Sequence, residues 1–506
     1  MSTPDSTKKR RVATDNNGGV NNGVDDDGTT MSTILAKLND MTNEMNGMKS
    51  RLSRMDELEN KYQRQEEECS LLKVNCNALE KTVKILDTRC ESLQRSVQIL
   101  SKENVLWEYS APPIPLSHWR GFPEDYVDRM QYFLADIKRH TCALRSGEQV
   151  VDSIRLGQVD GHIFLQHDDT LLAHWKELAN ALQLHELNHY KIQIINVQLT
   201  SEVLDLLAPA LKGKPITEFV LERNGFATNE GTKFFTECIN KHNSKLKNFH
   251  WVGNPIVNME YAHHLIEAIV NNPSINRVHI ENSLGGGDIN SYEVVRPLFA
   301  SDTRWDQLDL ERNNIQTQGH TEIPDYIASN PPLRYLYLAD NNLNDDDITL
   351  IATALKGNTN LECLRLQNNT GITHIGKEAL SKAVYDITNL NSISDCNHTC
   401  HIPFDGSMNI PIGCSNSKSN LTSSSERRRA KIYHLLSIRN REGSNVKHLN
   451  LEFDNEGEED NSLKLVPKVL EAVYKHSTVQ GFIYPLSIIY EIMRGWKMPE
   501  LYEKRS

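Results

Sequence analysis

Six segments of the chain share one spacing of apolar positions: apolar, two free, apolar, one free, apolar, two free, then Asn or Ser. They are Ile216, Phe219, Leu221 and Asn224; Leu246, Phe249, Trp251 and Asn254; Ile275, Val278, Ile280 and Ser283; Trp305, Leu308, Leu310 and Asn313; Leu333, Leu336, Leu338 and Asn341; and Leu361, Leu364, Leu366 and Asn369. Successive segments start 30, 29, 30, 28 and 28 residues apart. Self-similarity at such a period predicts a solenoid, in which each unit buries its apolar face only against its neighbours. Each segment reads as a short strand with its apolar positions turned inward, and the Asn at its end can hydrogen-bond backbone groups that the adjacent unit leaves unpaired.

Between the strands the apolar spacing changes to three and four, which puts one stripe on a helix facing the sheet. The stripes are Leu204, Leu207 and Leu211; Phe235 and Ile239; Leu265, Ile266 and Ile269; Ile323 and Ile327; and Ile348, Ile351 and Leu355. Two earlier units fit loosely, through His189, Ile192, Ile194, Val197 and Leu199, and through Val151, Ile154, Leu156 and Val159. A helix carrying Leu171, Leu172, Trp175, Leu178 and Leu182 closes that end in this reading, since terminal repeats are atypical. Beyond the last full segment, Leu390 and Ile393 are expected to begin another strand unit. Val446, Leu449 and Leu451 are expected to give a further strand, and Leu463, Val466, Leu470 and Val473 a closing helix.

The N-terminal fifth has a different period. Leu38, Met41, Met45, Met48, Leu52 and Met55, then Cys69, Leu72, Cys76, Leu79, Val83, Leu86, Cys90, Leu93, Val97 and Leu100, alternate steps of three and four. This heptad seam predicts a left-handed coiled coil over 31–108, with the two halves out of phase by a three-residue insertion. Such a stripe needs a partner helix, and a second copy is the simplest, so Leu79, Val83, Leu86, Leu93, Val97 and Leu100 are the candidate oligomerisation residues. Pro112, Pro113 and Pro115 end the rod. Within 109–150, Tyr126, Met130, Phe133, Leu134 and Ile137 predict an amphipathic helix. The repeats then occupy 151–402, a polar loop 403–425, and a degenerate repeat with a cap 426–506.

The repeat pattern resembles the leucine-rich repeat of the ribonuclease-inhibitor-like type, over about residues 151–402 and more loosely to the end. That resemblance implies an α/β horseshoe with parallel strands inside and full helices outside. The whole arrangement, including the Asn-His-Thr-Cys turn at 397–400, is similar to a group of leucine-rich repeat proteins expanded in diatom genomes.

Residues 1–30 hold almost no large apolar side chain and predict a disordered tail. Within it Lys8, Lys9, Arg10 and Arg11 resemble a nuclear import signal. A net charge of -12 argues against a nucleic-acid binder. The apolar runs are too short and interrupted to span a bilayer, and no signal peptide is recognisable. The expectation is an intracellular protein, cytoplasmic and also nuclear if the basic cluster is read, with reduced cysteines.

Candidate chemistry is sparse. Cys396, His398, Cys400 and His401 crowd together as zinc ligands do, but counting from Leu390 puts His398 at the turn-Asn position and Cys400 where other units have Ile256, Ile315 or Leu343, so structural roles are preferred. Gly285 to Asp288 and Lys212 to Pro215 lack the residues of a phosphate loop. No catalytic constellation, metal or cofactor is expected. The outward strand positions remain, and they stack into columns. His250, His279, Asp309, Tyr335, Tyr337 and Arg365 are the candidate contacts for a protein partner on the concave face. The expected function is a nonenzymatic, self-associating scaffold. The alternative is a GTPase-activating protein, through the resemblance to Ran-type activators with similar repeats and an acidic C-terminal segment, here Glu456 to Asp460.

Overall fold

A computed structural model describes residues 27–100, 107–146, 153–158, 163–186, 189–226, 229–241, 243–286, 289–300, 302, 304–403, 416, 423–453, 459–476 and 485–495. The chain divides into two compact units, 1–105 and 106–506.

In the first unit one helix, α1, runs from Asp27 to Leu100. At about 1.5 Å per residue it is about 110 Å long. The side chains of its apolar seam from Leu38 to Leu93 are exposed wherever they are described.

The second unit is a strand–helix alternation. α2 (Glu124–Ser146), β1 (Ser153–Gly157), α3 (Leu172–Leu184), β2 (Tyr190–Ile195), α4 (Ser201–Leu211), β3 (Ile216–Glu222), the short α5 (Glu230–Lys233) with a wide helical turn over Phe234–Asn240, β4 (Asn248–Val252), α6 (Met259–Asn271), β5 (Arg277–Glu281), α7 (Ser291–Val295), β6 (Gln307–Asp309), α8 (Glu322–Ala328), β7 (Tyr335–Tyr337), α9 (Asp345–Gly357), β8 (Cys363–Arg365) and α10 (His374–Val384) follow in order. The eight strands form one all-parallel sheet in sequential order. The inward residues Phe219, Phe249, Val278, Leu308, Leu336 and Leu364 pair across neighbouring strands. They share one core with the predicted helix stripes, and Met130, Phe133 and Ile137 of α2 join it beside β1.

The turn after each strand from β2 to β8 repeats one device. Asn196, Arg223, Gly253, Asn282, Arg312, Asp340 and Asn368 all have a left-handed backbone, which swings the next residue inward. Only Gly253 adopts this without a Cβ penalty. From β3 onward that next residue is the conserved-spacing Asn or Ser, and it forms a buried ladder. Asn224, Asn254, Asn313, Asn341 and Asn369 donate their amides to the carbonyls of Ile194, Leu221, Ile280, Leu310 and Leu338 in the preceding unit. Their side-chain oxygens accept N–H groups; that of Asn254 takes the N–H of Asn224 at 2.6 Å. A second ladder, not anticipated, lies where helices lead into strands. There the amides of Asn243, Asn272 and Asn358 reach the carbonyls of Ile216, Asn243 and Ile327.

Two expectations fail beyond β8. Leu390 and Ile393 sit in a short helix, α11 (Leu390–Ser394), rather than a strand. This insert moves the register. The Asn397 amide reaches the carbonyls of Leu355 and Asn358, and its oxygen accepts the Cys400 N–H at 2.6 Å, as Asn358 does for Leu361 at 2.8 Å. Cys400 therefore takes the first apolar position of a unit, and His401 bridges to Cys363 at the sheet edge. Val446, Leu449 and Leu451 likewise lie in a helix, α13 (Asn445–Phe453), between α12 (Ser424–Arg441) and α14 (Glu459–His476), with α15 (Pro485–Gly495) after them. A step of three suits a helix as well as this strand motif, and Leu449 is buried whereas Leu451 is exposed. These helices have their own core, in which Val466, Val469 and Val473 form the α14 stripe. Leu470 faces outward instead.

Candidate functional site

The face of the sheet opposite the helices carries the outward strand residues. Val220, His250, His279, Asp309, Tyr337 and Arg365 are consecutive register partners from β3 to β8, and Glu218, Asn248, Arg277, Gln307, Tyr335 and Cys363 form the flanking column. All six candidate contact residues therefore share one surface. They do not share one environment.

At the centre His279 is clamped. Its Nδ1 lies 3.2 Å from Nδ1 of His250, and its Nε2 lies 3.0 Å from Glu281 Oε2 and 3.3 Å from Asp309 Oδ2. An imidazolium fits this arrangement, donating from Nδ1 to the lone pair of a neutral His250 and from Nε2 to the carboxylates. Burial opposes the charge on His279, but the hydrogen-bonded Glu281 and then Asp309 outweigh it and raise its pKa. Burial first, then the charge on His279, pushes His250 down to about 4. Asp309 is only 6% exposed. That burial, reinforced by Glu311 and Glu281 against the pull of His279, lifts its carboxyl to about 6. Burial also raises Glu222 and Glu311 at the rim. Arg312 closes the rim with contacts to Glu281 at 3.0 Å and Asp340 at 3.6 Å.

Towards β8 the surface opens. The Arg365 guanidinium stacks over Tyr337 at 4.2 Å from the ring centroid and reaches Glu311 at 3.7 Å, with its side chain 46% exposed. Tyr335 lies 6.4 Å from Tyr337, carries Arg334 over its ring at 5.1 Å and donates to Glu362 at 3.0 Å. Two partly buried aromatic rings, tilted to one another and each with a guanidinium over it, thus lie at this end of the face. The histidine–carboxylate knot beside them was missed as a unit by sequence reasoning, although the 29- and 30-residue separations of His250, His279 and Asp309 match the repeat and already made them neighbours.

The Cys396 thiol lies near the carbonyls of Ser392 and Lys382 and accepts the Asp386 N–H, while His398 pairs with the Ser394 carbonyl at 3.1 Å. Among the described residues, no group of three or more His, Cys, Asp or Glu side chains is placed to hold a metal ion. No helix among them is long and apolar enough to cross a membrane. Of the predicted oligomerisation residues, Leu79, Val83, Leu86 and Leu93 are exposed on α1. The side chains of Val97 and Leu100, and all of Lys8 to Arg11, lie outside the described residues. No protein family and no curated protein matches the chain in sequence.

Proposed function

We propose that the chain is a leucine-rich repeat solenoid preceded by a coiled coil, and that it acts as a nonenzymatic, self-associating scaffold taking a protein partner on the open face of its sheet. The repeat of strand, left-handed turn residue, buried Asn and helix supports the family reading. The observation that carries the function is the group of partly buried Tyr335 and Tyr337 on β7 and exposed Arg365 on β8. Aromatic and Arg side chains are the usual energetic anchors of protein interfaces, and here each is held in one orientation before a partner arrives.

The test is quantitative recovery of partners from cell extract by the wild type and by a folded Tyr335→Ala, Tyr337→Ala, Arg365→Ala variant. Each anchor is expected to contribute about 2 kcal/mol of binding, so the triple variant should lose its partners. Undiminished recovery would move the site away from this face. Stimulated GTP hydrolysis in a panel of small GTPases would replace the scaffold reading with the activator one.

A further inference from the structure

The heptad register of α1 says more than that a partner helix is needed. From Cys69 to Leu100 every d position is Leu: Leu72, Leu79, Leu86, Leu93 and Leu100. The a positions are Cys69, Cys76, Val83, Cys90 and Val97. The β-branched a residues, Val83 and Val97, together with Leu at every d, favour two parallel strands over three or four. The flanking charges agree. In a parallel, in-register pair each g residue meets the e residue five positions later on the other copy. Glu44 then meets Lys49, and Glu68 meets Lys73, each twice by symmetry. No g-to-e pair of that register, in either half of the seam, brings together like charges.

We infer that α1 pairs with α1 of a second copy as a parallel, in-register, two-stranded coiled coil, in which the a-layer thiols of Cys69, Cys76 and Cys90 each face their own counterpart. The inference rests on the self-association reading above and adds strand number, direction and register to it. In an antiparallel pair a layers meet d layers, so each of these cysteines would face a d-position Leu or Met instead. All three cysteines and the Leu side chains from Leu72 to Leu93 are exposed on α1. Exposed Leu71 and Ile85 fall at c and stay outside the interface.

Disulfide trapping reads the geometry directly, because a disulfide forms only between Cα atoms about 4.4–6.8 Å apart. Two facing thiols lose two protons and two electrons to one molecule of oxidised glutathione, which leaves as two reduced glutathione molecules. The full chain, treated in this way without denaturant, should give homotypic Cys69, Cys76 and Cys90 disulfides in peptide mass mapping. Its mass by light scattering should be that of two 57.6 kDa chains. Reversing charge with Glu44→Lys and Glu68→Lys should raise the dissociation constant about tenfold or more, and adding Lys49→Glu and Lys73→Glu should restore it. A monomer at micromolar concentration would sink both this inference and self-association. A dimer with a Cys69-to-Cys90 bridge, or with no homotypic bridge, overturns the parallel register alone. A trimer or tetramer overturns the two-stranded state.

Discussion

Leu79 and Leu336 are both leucines at strictly periodic positions, yet Leu79 is 63% exposed on α1 and Leu336 is fully buried in the sheet. The difference is one of closure. A repeat of about 29 residues contains both a strand and a helix, so stacking successive units covers every apolar stripe within one chain. A heptad puts its stripe on a single helix, and the same kind of periodicity leaves it open until another helix arrives. Period alone therefore separates apolar residues that make a fold from apolar residues that make an assembly.

The contrast breaks most visibly if Leu79, Leu86 and Leu93 are all changed to Lys. The expected outcome is loss of the multimer by light scattering, with no change in the unfolding midpoint of the repeat region. A coupled fall of both would show that the repeats depend on the rod. Leu336→Ala should do the reverse, costing roughly 2 to 5 kcal/mol of stability through the cavity it leaves while the multimer persists. Chemical denaturation of the full chain measures it.

The smallest effect sharpens the comparison within the sheet. His250 titrates at about 4 when folded and near its ordinary 6.5 when unfolded. Its neutral form therefore stabilises the fold above pH 6.5, and that stabilisation is lost progressively as pH falls from 6.5 towards 4. Asp309 runs the opposite way, since its folded carboxyl takes up a proton at about 6, above the unfolded value. The wild type should thus show a shallow dependence over this range. Denaturation curves of His250→Asn against wild type isolate one arm, with the variant gaining up to about 3 kcal/mol relative to wild type between pH 6.5 and 4. Burial first, then the charges of His279 and Arg277, hold His250 neutral against the pull of Glu218, and a pH-independent difference would show that they do not.

The spacing of Phe219, Phe249, Val278, Leu308, Leu336 and Leu364 was enough to place every strand from β3 to β8 in register, because a one-residue slip would expose the whole inward set. It also brought the six open-face residues into one surface. The failures share a cause. Leu390 and Ile393, and Val446 and Leu449, are pairs three apart, and such pairs serve a helix turn as readily as the strand motif. The inserted α11 then displaced Cys400 by one helix from the position that counting assigned. Nor does spacing reveal desolvation. Asp309 looked like an exposed contact but is only 6% exposed, and its carboxylate lies 3.3 Å from His279.

The ladder has one uneven rung. Where its neighbours have Asn, Ser283 offers a single hydroxyl proton between two carbonyls, Trp251 at 3.2 Å and Glu281 at 2.8 Å, and its oxygen receives the Asn254 N–H at 3.3 Å rather than the 2.6 Å found one unit earlier. The stack is scored there, as glass is before it is snapped, along the line between β4 and β5. The His250–His279 contact crosses that same line on the outer surface. Acid that protonates His250 sets two like charges across that same junction, so the odd rung inside the stack and the proton-sensitive contact outside it fall between the same two strands.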